Sequence, residues 1–187
     1  MRILLIDACV RTHSRTKRLS DCLLRQLPGD VEILCLEKVS FPKLDEAFLQ
    51  QRDALIAAGR FDAPLFALAR QFAQAEQIVI AAPYWDLSFP AALKQYFEQI
   101  NVLGITFEYT PEGTPRPLCR AKRLFYVTTA GGTFVPMEFG FGYVEALARG
   151  FYGIQDVRLI RAAGLDIDGA DEEQILQKAM AEISWDS

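Results

Sequence analysis

Five short apolar runs separated by segments of helical period constrain the fold of this chain more than any other feature. The runs lie at residues 3–6, 31–36, 78–82, 124–128 and 157–162. They are rich in valine, isoleucine and leucine and alternate little between apolar and polar residues, which is typical of strands buried on both faces. Strands that alternate with helices form parallel sheets. The sequence therefore predicts an α/β fold with a doubly wound five-stranded parallel sheet.

The predicted helices lie between these runs, at 16–27, twice within 45–74, and at 90–102, 141–152 and 171–183. One face of the helix at 90–102 carries large apolar residues at i, i+3, i+4 and i+7, namely Leu93, Tyr96, Phe97 and Ile100. The last helix begins with a capping side chain at Asp171 and has Gln174 three residues later. Both patterns predict helices that pack one apolar face on the sheet.

One segment departs from the alternation of strands and helices. Residues 105–109 and 116–119 flank the turn sequence 111–113, which reads Pro-Glu-Gly. This pattern predicts a hairpin inserted before the fourth strand, and we expect the hairpin to overhang one edge of the ligand site. Composition does not shift along the chain and no linker divides it, so we expect a single domain over residues 1–187.

Composition excludes several classes of protein. No apolar run approaches the roughly 20 residues that span a bilayer, and no secretory signal is evident, so we expect a cytoplasmic protein without a membrane partner. The net charge of −4 gives no reason to expect a nucleic-acid partner. Four widely spaced cysteines and a single histidine, His13, lack the spacing of metal ligands, so no metal site is predicted.

In an open parallel sheet, ligands bind at the carboxyl ends of the strands. The loop after the first strand, 8–18, carries the hydroxyls of Ser14 and Thr16 at a helix start, where main-chain N–H groups are ready to bind a phosphate. Arg11, Arg15, Lys17 and Arg18 make this segment basic. The alternative reading is an ordinary helix cap beside solvated charges. A hydroxyl-rich loop of this kind suits a mononucleotide monophosphate.

Two further loops follow the third and fourth strands. Residues 82–90 place Tyr84 and Trp85 directly after a buried strand, where they predict an aromatic platform for a flat ring, unless they serve only in packing. Residues 128–134 contain Gly131 and Gly132, whose N–H groups suit the pyrimidine side of a flavin, although a plain turn would use the same residues. Together the three loops favour FMN as the ligand.

The central part of the chain resembles the FMN-dependent NAD(P)H azoreductase and quinone reductase family. The resemblance is carried by residues 78–85, 89–97 and 104–107, continues through 122–132, and extends to 14–20. It implies a flavodoxin-like fold with strand order 2-1-3-4-5. It also implies a homodimer with FMN at its interface.

By the family's pattern, Ser14, Arg15 and Thr16 bind the phosphate, Tyr84, Trp85, Asp86 and Leu87 bracket the isoalloxazine, and Thr129, Ala130, Gly131 and Gly132 hold its other edge. Pro83, in the second loop, completes the predicted cofactor site. The chain departs from the family at Ala8, where a serine is usual, so Arg11 or Arg15 is expected to supply the missing phosphate contact. It also has Asp86 where many members carry Asn and Ala130 where some carry Arg.

The implied activity is oxidoreduction in two steps, with hydride passing from NADH or NADPH through bound FMN to a flat, electron-poor acceptor such as a quinone or an azo compound. No side chain is assigned a catalytic role, because the flavin carries the redox chemistry. Phe107, Tyr109 and Phe134 are predicted to stack on the substrate. Two alternatives remain at this point: a flavodoxin-like electron carrier and a non-enzymatic flavin-binding protein.

Overall fold

A five-stranded parallel sheet forms the centre of the molecule in the computed structural model, which describes residues 1–184. The strands in chain order are β1 (Arg2–Asp7), β2 (Asp30–Cys35), β3 (Gln77–Ala81), β4 (Phe107–Tyr109), β5 (Pro115–Pro117), β6 (Arg123–Thr129) and β7 (Asp156–Ala162). The central sheet has the order β2-β1-β3-β6-β7, and every neighbouring pair in it is parallel. The predicted order 2-1-3-4-5 is confirmed, with β6 and β7 as the fourth and fifth strands.

The helices are α1 (Arg15–Leu24), α2 (Glu46–Ala57), α3 (Ala67–Gln74), α4 (Ala91–Ile100), α5 (Phe141–Gly150) and α6 (Glu172–Ala181). The apolar face predicted for α4 is buried, since Leu93, Tyr96, Phe97 and Ile100 are each at most 1% exposed. The predicted cap of α6 also forms, because Asp171 Oδ1 accepts a hydrogen bond from the main-chain N–H of Gln174 at 3.0 Å.

The sheet is covered on both faces, which explains its continuous apolar strands. Ile3 and Leu5 of β1 pack in a cluster with residues of α1 and α6, whereas Leu4 and Ile6 pack on the opposite face with residues of α3, α4 and α5. Burial of both faces therefore removes the apolar–polar alternation that a half-exposed strand would show. Among residues 1–184, none of the helices combines the length and the apolar character needed to cross a bilayer.

The predicted hairpin is present, but it lies at a different edge of the sheet from the one we expected. Strands β4 and β5 pair antiparallel, and the Phe107 ring stacks on Phe151, which follows α5, with ring centroids 4.5 Å apart. The segment after β5 bonds through Arg120 N to Ala73 O at 3.0 Å, near the end of α3. These contacts are at the amino ends of the parallel strands, so the expectation that the hairpin overhangs the ligand site of its own chain is wrong.

Candidate functional site

A cleft of about 210 Å³ opens at the carboxyl ends of β1, β3 and β6. The three loops predicted to converge there all contribute to its wall. Its lining residues are Val10, Arg11, His13, Ser14, Arg15, Thr16, Pro83, Tyr84, Trp85, Thr129, Gly131 and Asp166. Eight of these were predicted from the sequence as cofactor-binding residues: Ser14, Arg15, Thr16, Pro83, Tyr84, Trp85, Thr129 and Gly131.

The first wall of the cleft is the amino end of α1. Ser14 caps this helix, and its hydroxyl accepts the main-chain N–H of Lys17 at 3.2 Å. The N–H groups of Arg15 and Thr16 have no acceptor among residues 1–184, as expected for the first turn of a helix. The Thr16 hydroxyl points inward and pairs with the hydroxyl of Thr129. Free N–H donors and the positive end of the helix dipole therefore face the cleft together.

The basic segment around α1 is largely neutralised by carboxylates from distant parts of the chain. Lys17 pairs with the buried carboxylate of Asp7 at 3.4 Å, and Arg18 pairs with Glu173 at 2.7 Å. Arg15 binds Asp166 and Glu172. Within residues 1–184, Arg11 is the cation of this segment that has no carboxylate within 4.0 Å. The expected open basic patch is therefore reduced to one unpaired guanidinium.

The second wall contains a tight turn with an unusual backbone. Trp85 and Ser88 exchange two main-chain hydrogen bonds, of 3.1 and 2.7 Å, around a two-residue turn. The two turn residues, Asp86 and Leu87, have φ angles of +48° and +67°. Aspartate and asparagine tolerate this left-handed region, which gives a structural reason for an acidic residue at position 86, whereas leucine is strained there.

This turn also decides which amides can reach a ligand. The Trp85 N–H is used within the turn, while the N–H groups of Asp86 and Leu87 have no acceptor in the described part of the chain. Strained backbone of this kind persists where the surrounding structure holds it, and it is found most often at ligand sites. The amides of Asp86 and Leu87 are therefore available to a ligand.

The third wall is the glycine-containing loop after β6. The carbonyls of Ala130, Gly131 and Gly132 accept hydrogen bonds from Leu165, Asp166 and Gly164, at 3.3, 2.9 and 3.0 Å. The N–H groups of Gly131 and Gly132 have no acceptor among the residues described, so they remain free for a ligand. Neither glycine has a positive φ. Close approach of another group, rather than backbone conformation, explains glycine at position 131.

That group is the carboxylate of Asp166. A Cβ atom at position 131 would lie 2.8 Å from the Asp166 carboxyl carbon and would overlap one of its oxygens. Asp166 in turn binds Arg15 with both oxygens, at 2.6 and 3.3 Å, and Arg15 also reaches Glu172 at 3.3 Å. The Arg15 guanidinium holds the pKa of Asp166 below its ordinary value.

Three hydroxyls lie buried beneath the second and third walls. That of Tyr84 has no hydrogen-bond partner among residues 1–184, whereas those of Tyr126 and Thr128 interact with each other without an ordinary hydrogen-bond geometry. Burial raises the pKa of Tyr84, and the charge of Glu138 adds to that shift. The Tyr84 phenol consequently keeps its proton at neutral pH, and its hydroxyl has hydrogen-bonding capacity left over for a ligand.

The structure does not gather every predicted residue in the cleft. Asp86, Leu87, Ala130 and Gly132 are next to lining residues in the chain but do not line the cleft themselves. Phe134 lies in the loop after Gly132 and is 76% exposed. Phe107 and Tyr109 belong to the hairpin at the opposite edge of the sheet, away from the cleft of their own chain.

Sequence reasoning missed three residues of the cleft lining. Val10 lies in the first loop, but only polar and charged residues of that loop were considered. His13 was noted only as the single histidine. Asp166 belongs to the loop after β7, which carries no glycine pair or aromatic pair. Asp166 could have been placed near the cleft from the general rule that loops at the carboxyl ends of parallel strands share one edge of the sheet.

Comparison with known proteins agrees with this architecture. A family model described as "Flavodoxin-like fold" matches residues 1–185. The chain is 37% identical to the FMN-dependent NADH:quinone oxidoreductase of Clostridium beijerinckii, over 89% of this chain and 87% of that protein. It is 36% identical to the protein of the same name from Lachnoclostridium phytofermentans, over 92% and 90% of the two chains.

Solved structures show the same fold. The azoreductase of Bacillus anthracis superposes with a TM-score of 0.82 at 23% identity, covering 97% of this chain and 95% of that one. An NAD(P)H:quinone oxidoreductase of Methanothermobacter marburgensis gives a TM-score of 0.72 at 18% identity, with 97% and 96% coverage. This chain therefore belongs to the flavodoxin-like fold family, together with the bacterial FMN-dependent NADH:quinone oxidoreductases.

Proposed function

We propose that this protein is an FMN-dependent oxidoreductase that takes hydride from a reduced nicotinamide and passes it to quinones, azo compounds or similar flat acceptors. One observation carries the proposal: three loops from separate strands line a single cleft and present free main-chain N–H groups on three sides. The names of the relatives supply the reaction and the donor NADH. They favour an enzyme over an electron carrier.

The residues present fit the two chemical ends of FMN. At one end, the free N–H groups of Arg15 and Thr16 and the Ser14 hydroxyl suit the phosphate. At the other end, Tyr84 and Trp85 offer an aromatic surface, and the amides of Gly131 and Gly132 suit the polar pyrimidine edge. The remaining predicted contacts are Pro83, Asp86, Leu87, Thr129 and Ala130, which we keep as residues around the ring.

Bound FMN would supply two-electron redox chemistry, and the protein would position and tune it. The free amides beside Gly131 would stabilise negative charge on a ring held there, because fixed dipoles in a partly dry site need no reorganisation. The protonated Tyr84 hydroxyl can both donate and accept a hydrogen bond at neutral pH. Because bound FMN would carry the redox chemistry, no side chain of the cleft is assigned the role of a base.

We also propose that two copies of the chain form a homodimer around the cleft. Exposed apolar side chains surround its mouth, including Val10, Trp85 and Leu87, at 44%, 38% and 44% exposure, and such patches often mark interfaces. Tyr109 and Phe134, at 53% and 76% exposure, remain candidates for stacking on the substrate, whereas Phe107 is buried against Phe151. Sedimentation equilibrium tests this directly, and a monomer at micromolar concentration would contradict it.

The activity is tested with purified protein. We expect a yellow preparation that oxidises NADH in the presence of a quinone, and an acceptor panel with azo dyes and both nicotinamides would define its preference. Trp85→Ala should weaken FMN binding at least about 10-fold, since it removes a stacking surface. Leu49→Ala, which truncates a side chain of similar exposure on α2, is the matched control. Bound FMN without NADH oxidation would favour the carrier, and failure to bind FMN would reject the proposal.

We also propose that residues 1–187 form a single flavin-binding domain. A cytoplasmic location remains a prediction, and fractionation of cells that express the protein would test it.

A further inference from the structure

Arg15 and Asp166 connect two walls of the cleft that are far apart in the chain. Arg15 begins α1, and Asp166 lies in the loop after β7, whose main chain is bonded to the glycine loop. Both oxygens of the carboxylate face the guanidinium, at 2.6 and 3.3 Å, which is the planar bidentate geometry that arginine favours. The same carboxylate lies against Gly131, where a side chain would displace it.

The charges around Arg15 make it a poor receptor for a phosphate dianion. One guanidinium faces two carboxylates, those of Asp166 and Glu172, so this group of three carries a net charge of −1. Arg11 lines the same cleft, and within residues 1–184 it has no carboxylate within 4.0 Å. Between the two arginines expected to replace the missing serine contact, Arg11 is the one that forms no ion pair, although its charge acts on Asp166 from beyond that distance.

We propose that Arg15 and Asp166 form a clasp that holds the phosphate loop against the glycine loop, and that Arg11 supplies the cation for the phosphate of FMN. This inference rests on the proposed binding of FMN in the cleft. Arg15 and Asp166 are then positioning residues that shape the site for any flavin. Arg11 is a specificity residue that recognises only the phosphorylated one.

Riboflavin distinguishes these roles, because it carries the same ring and sugar chain as FMN but no phosphate. Binding of each ligand to apoprotein is followed by flavin fluorescence. Arg15→Gln and Asp166→Asn should each lower the affinity for both ligands by a similar factor of about 3. The double variant should bind them no more weakly than either single variant. Arg11→Gln should lower the affinity for FMN about 10-fold and make FMN binding less dependent on salt. It should leave the affinity for riboflavin unchanged.

Matched controls separate the clasp from the general effects of charge. Arg18→Gln removes another ion pair between α1 and α6 outside the cleft, and Asp168→Asn removes an exposed carboxylate two residues from Asp166. Neither should change the affinity for riboflavin. A further readout needs no ligand: exchange of the amides at 164–166, which donate to the glycine loop, should be faster in Arg15→Gln and Asp166→Asn than in Arg11→Gln.

The opposite results would overturn the inference. If Arg15 binds phosphate directly, Arg15→Gln will lower the affinity for FMN and leave the affinity for riboflavin unchanged. Asp166→Asn will then tighten FMN binding, because it frees the guanidinium and removes a negative charge. Wild-type protein that binds neither flavin would instead reject the proposed function, whereas flavin-binding protein with these reversed effects rejects the clasp alone.

Discussion

The hydroxyl oxygens of Thr16 and Thr129 lie 2.6 Å apart in the buried floor of the cleft. One residue is in the first turn of α1 and the other ends β6, so this bond joins the phosphate loop to the strand that leads into the glycine loop. Both residues are nearly inaccessible to solvent, at 1% and 7% exposure. Each hydroxyl therefore depends on the other for a partner.

We expect Thr16→Val or Thr129→Val alone to lower the free energy of unfolding by about 1–3 kcal/mol, because each leaves a buried hydroxyl unpaired. The double variant should cost less than the sum of the two, since no orphaned hydroxyl remains. Urea unfolding of the apoprotein measures all three. Thr114→Val, at an exposed position of the hairpin turn, should change stability by less than about 0.5 kcal/mol. Additive effects would show that the two hydroxyls do not act as a pair.

Ser14 is predicted to serve both the helix and the cofactor. Ser14→Ala should cost about 1 kcal/mol through loss of the cap and should weaken FMN binding about 5-fold. Adding Thr16→Ala should weaken FMN further. Ser20→Ala provides the comparison, because its hydroxyl donates to Lys17 O in the same helix but lies outside the cleft lining. Calorimetric titration that finds equal FMN affinity in all variants would show that the phosphate binds elsewhere.

Leu87 combines a left-handed backbone with an exposed side chain, so its replacement separates strain from packing. Leu87→Gly should raise the stability of the apoprotein by about 0.5–1 kcal/mol, since glycine adopts φ of +67° without a steric penalty. FMN binding should weaken about 3-fold, because the turn is then less well ordered. Leu87→Ala removes the same side chain and keeps most of the strain. Thermal unfolding that shows equal stability for the two variants would contradict this explanation.

Burial raises the pKa of the Cys119 thiol to about 12, so the folded protein holds this proton where the unfolded chain releases it. The unfolded state therefore binds fewer protons above pH 9, and stability should fall as the pH rises from 9 towards 12. The contribution of this thiol between pH 8 and pH 10 is about 1–2 kcal/mol. Stability is to be compared at both pH values by urea unfolding.

Cys119→Ala and Cys119→Ser both remove the titrating group but pack differently. Each should lose less stability than the wild type over the same pH interval, whatever its stability at pH 8. If either variant loses as much stability as the wild type between pH 8 and pH 10, other groups cause the loss of stability at alkaline pH. Tyr96, Tyr126 and Tyr152 have pKa values raised by burial and should add to the loss at higher pH.

Features within a few residues of one another in the chain were largely readable from the sequence. The apolar period placed α4 and its buried face, and the alternation of strands and helices predicted a parallel sheet, whose strand order was implied by the family resemblance. Topology then brings the loops after β1, β3 and β6 to one edge. For that reason, the walls around Ser14, Tyr84 and Gly131 could be anticipated without coordinates.

Contacts between distant residues were not readable in the same way. The hairpin was expected beside the ligand site, but packing of Phe107 on Phe151 holds it at the amino ends of the strands. The basic segment at 11–18 looked like an open anion receptor, whereas carboxylates more than 150 residues away neutralise Arg15 and Arg18. A charge count along the chain cannot reveal such pairing.

The sequence by itself determined the α/β class and three walls of the cleft, because these follow from local periodicity and from the geometry of parallel connections, and its resemblance to a known family implied the strand order. Only the tertiary structure decided which amides remain free, which cation remains unpaired, and that Asp166 lies over Gly131. These outcomes depend on side chains that meet across long loops, and their distances are set by packing of the whole core rather than by neighbours in the chain.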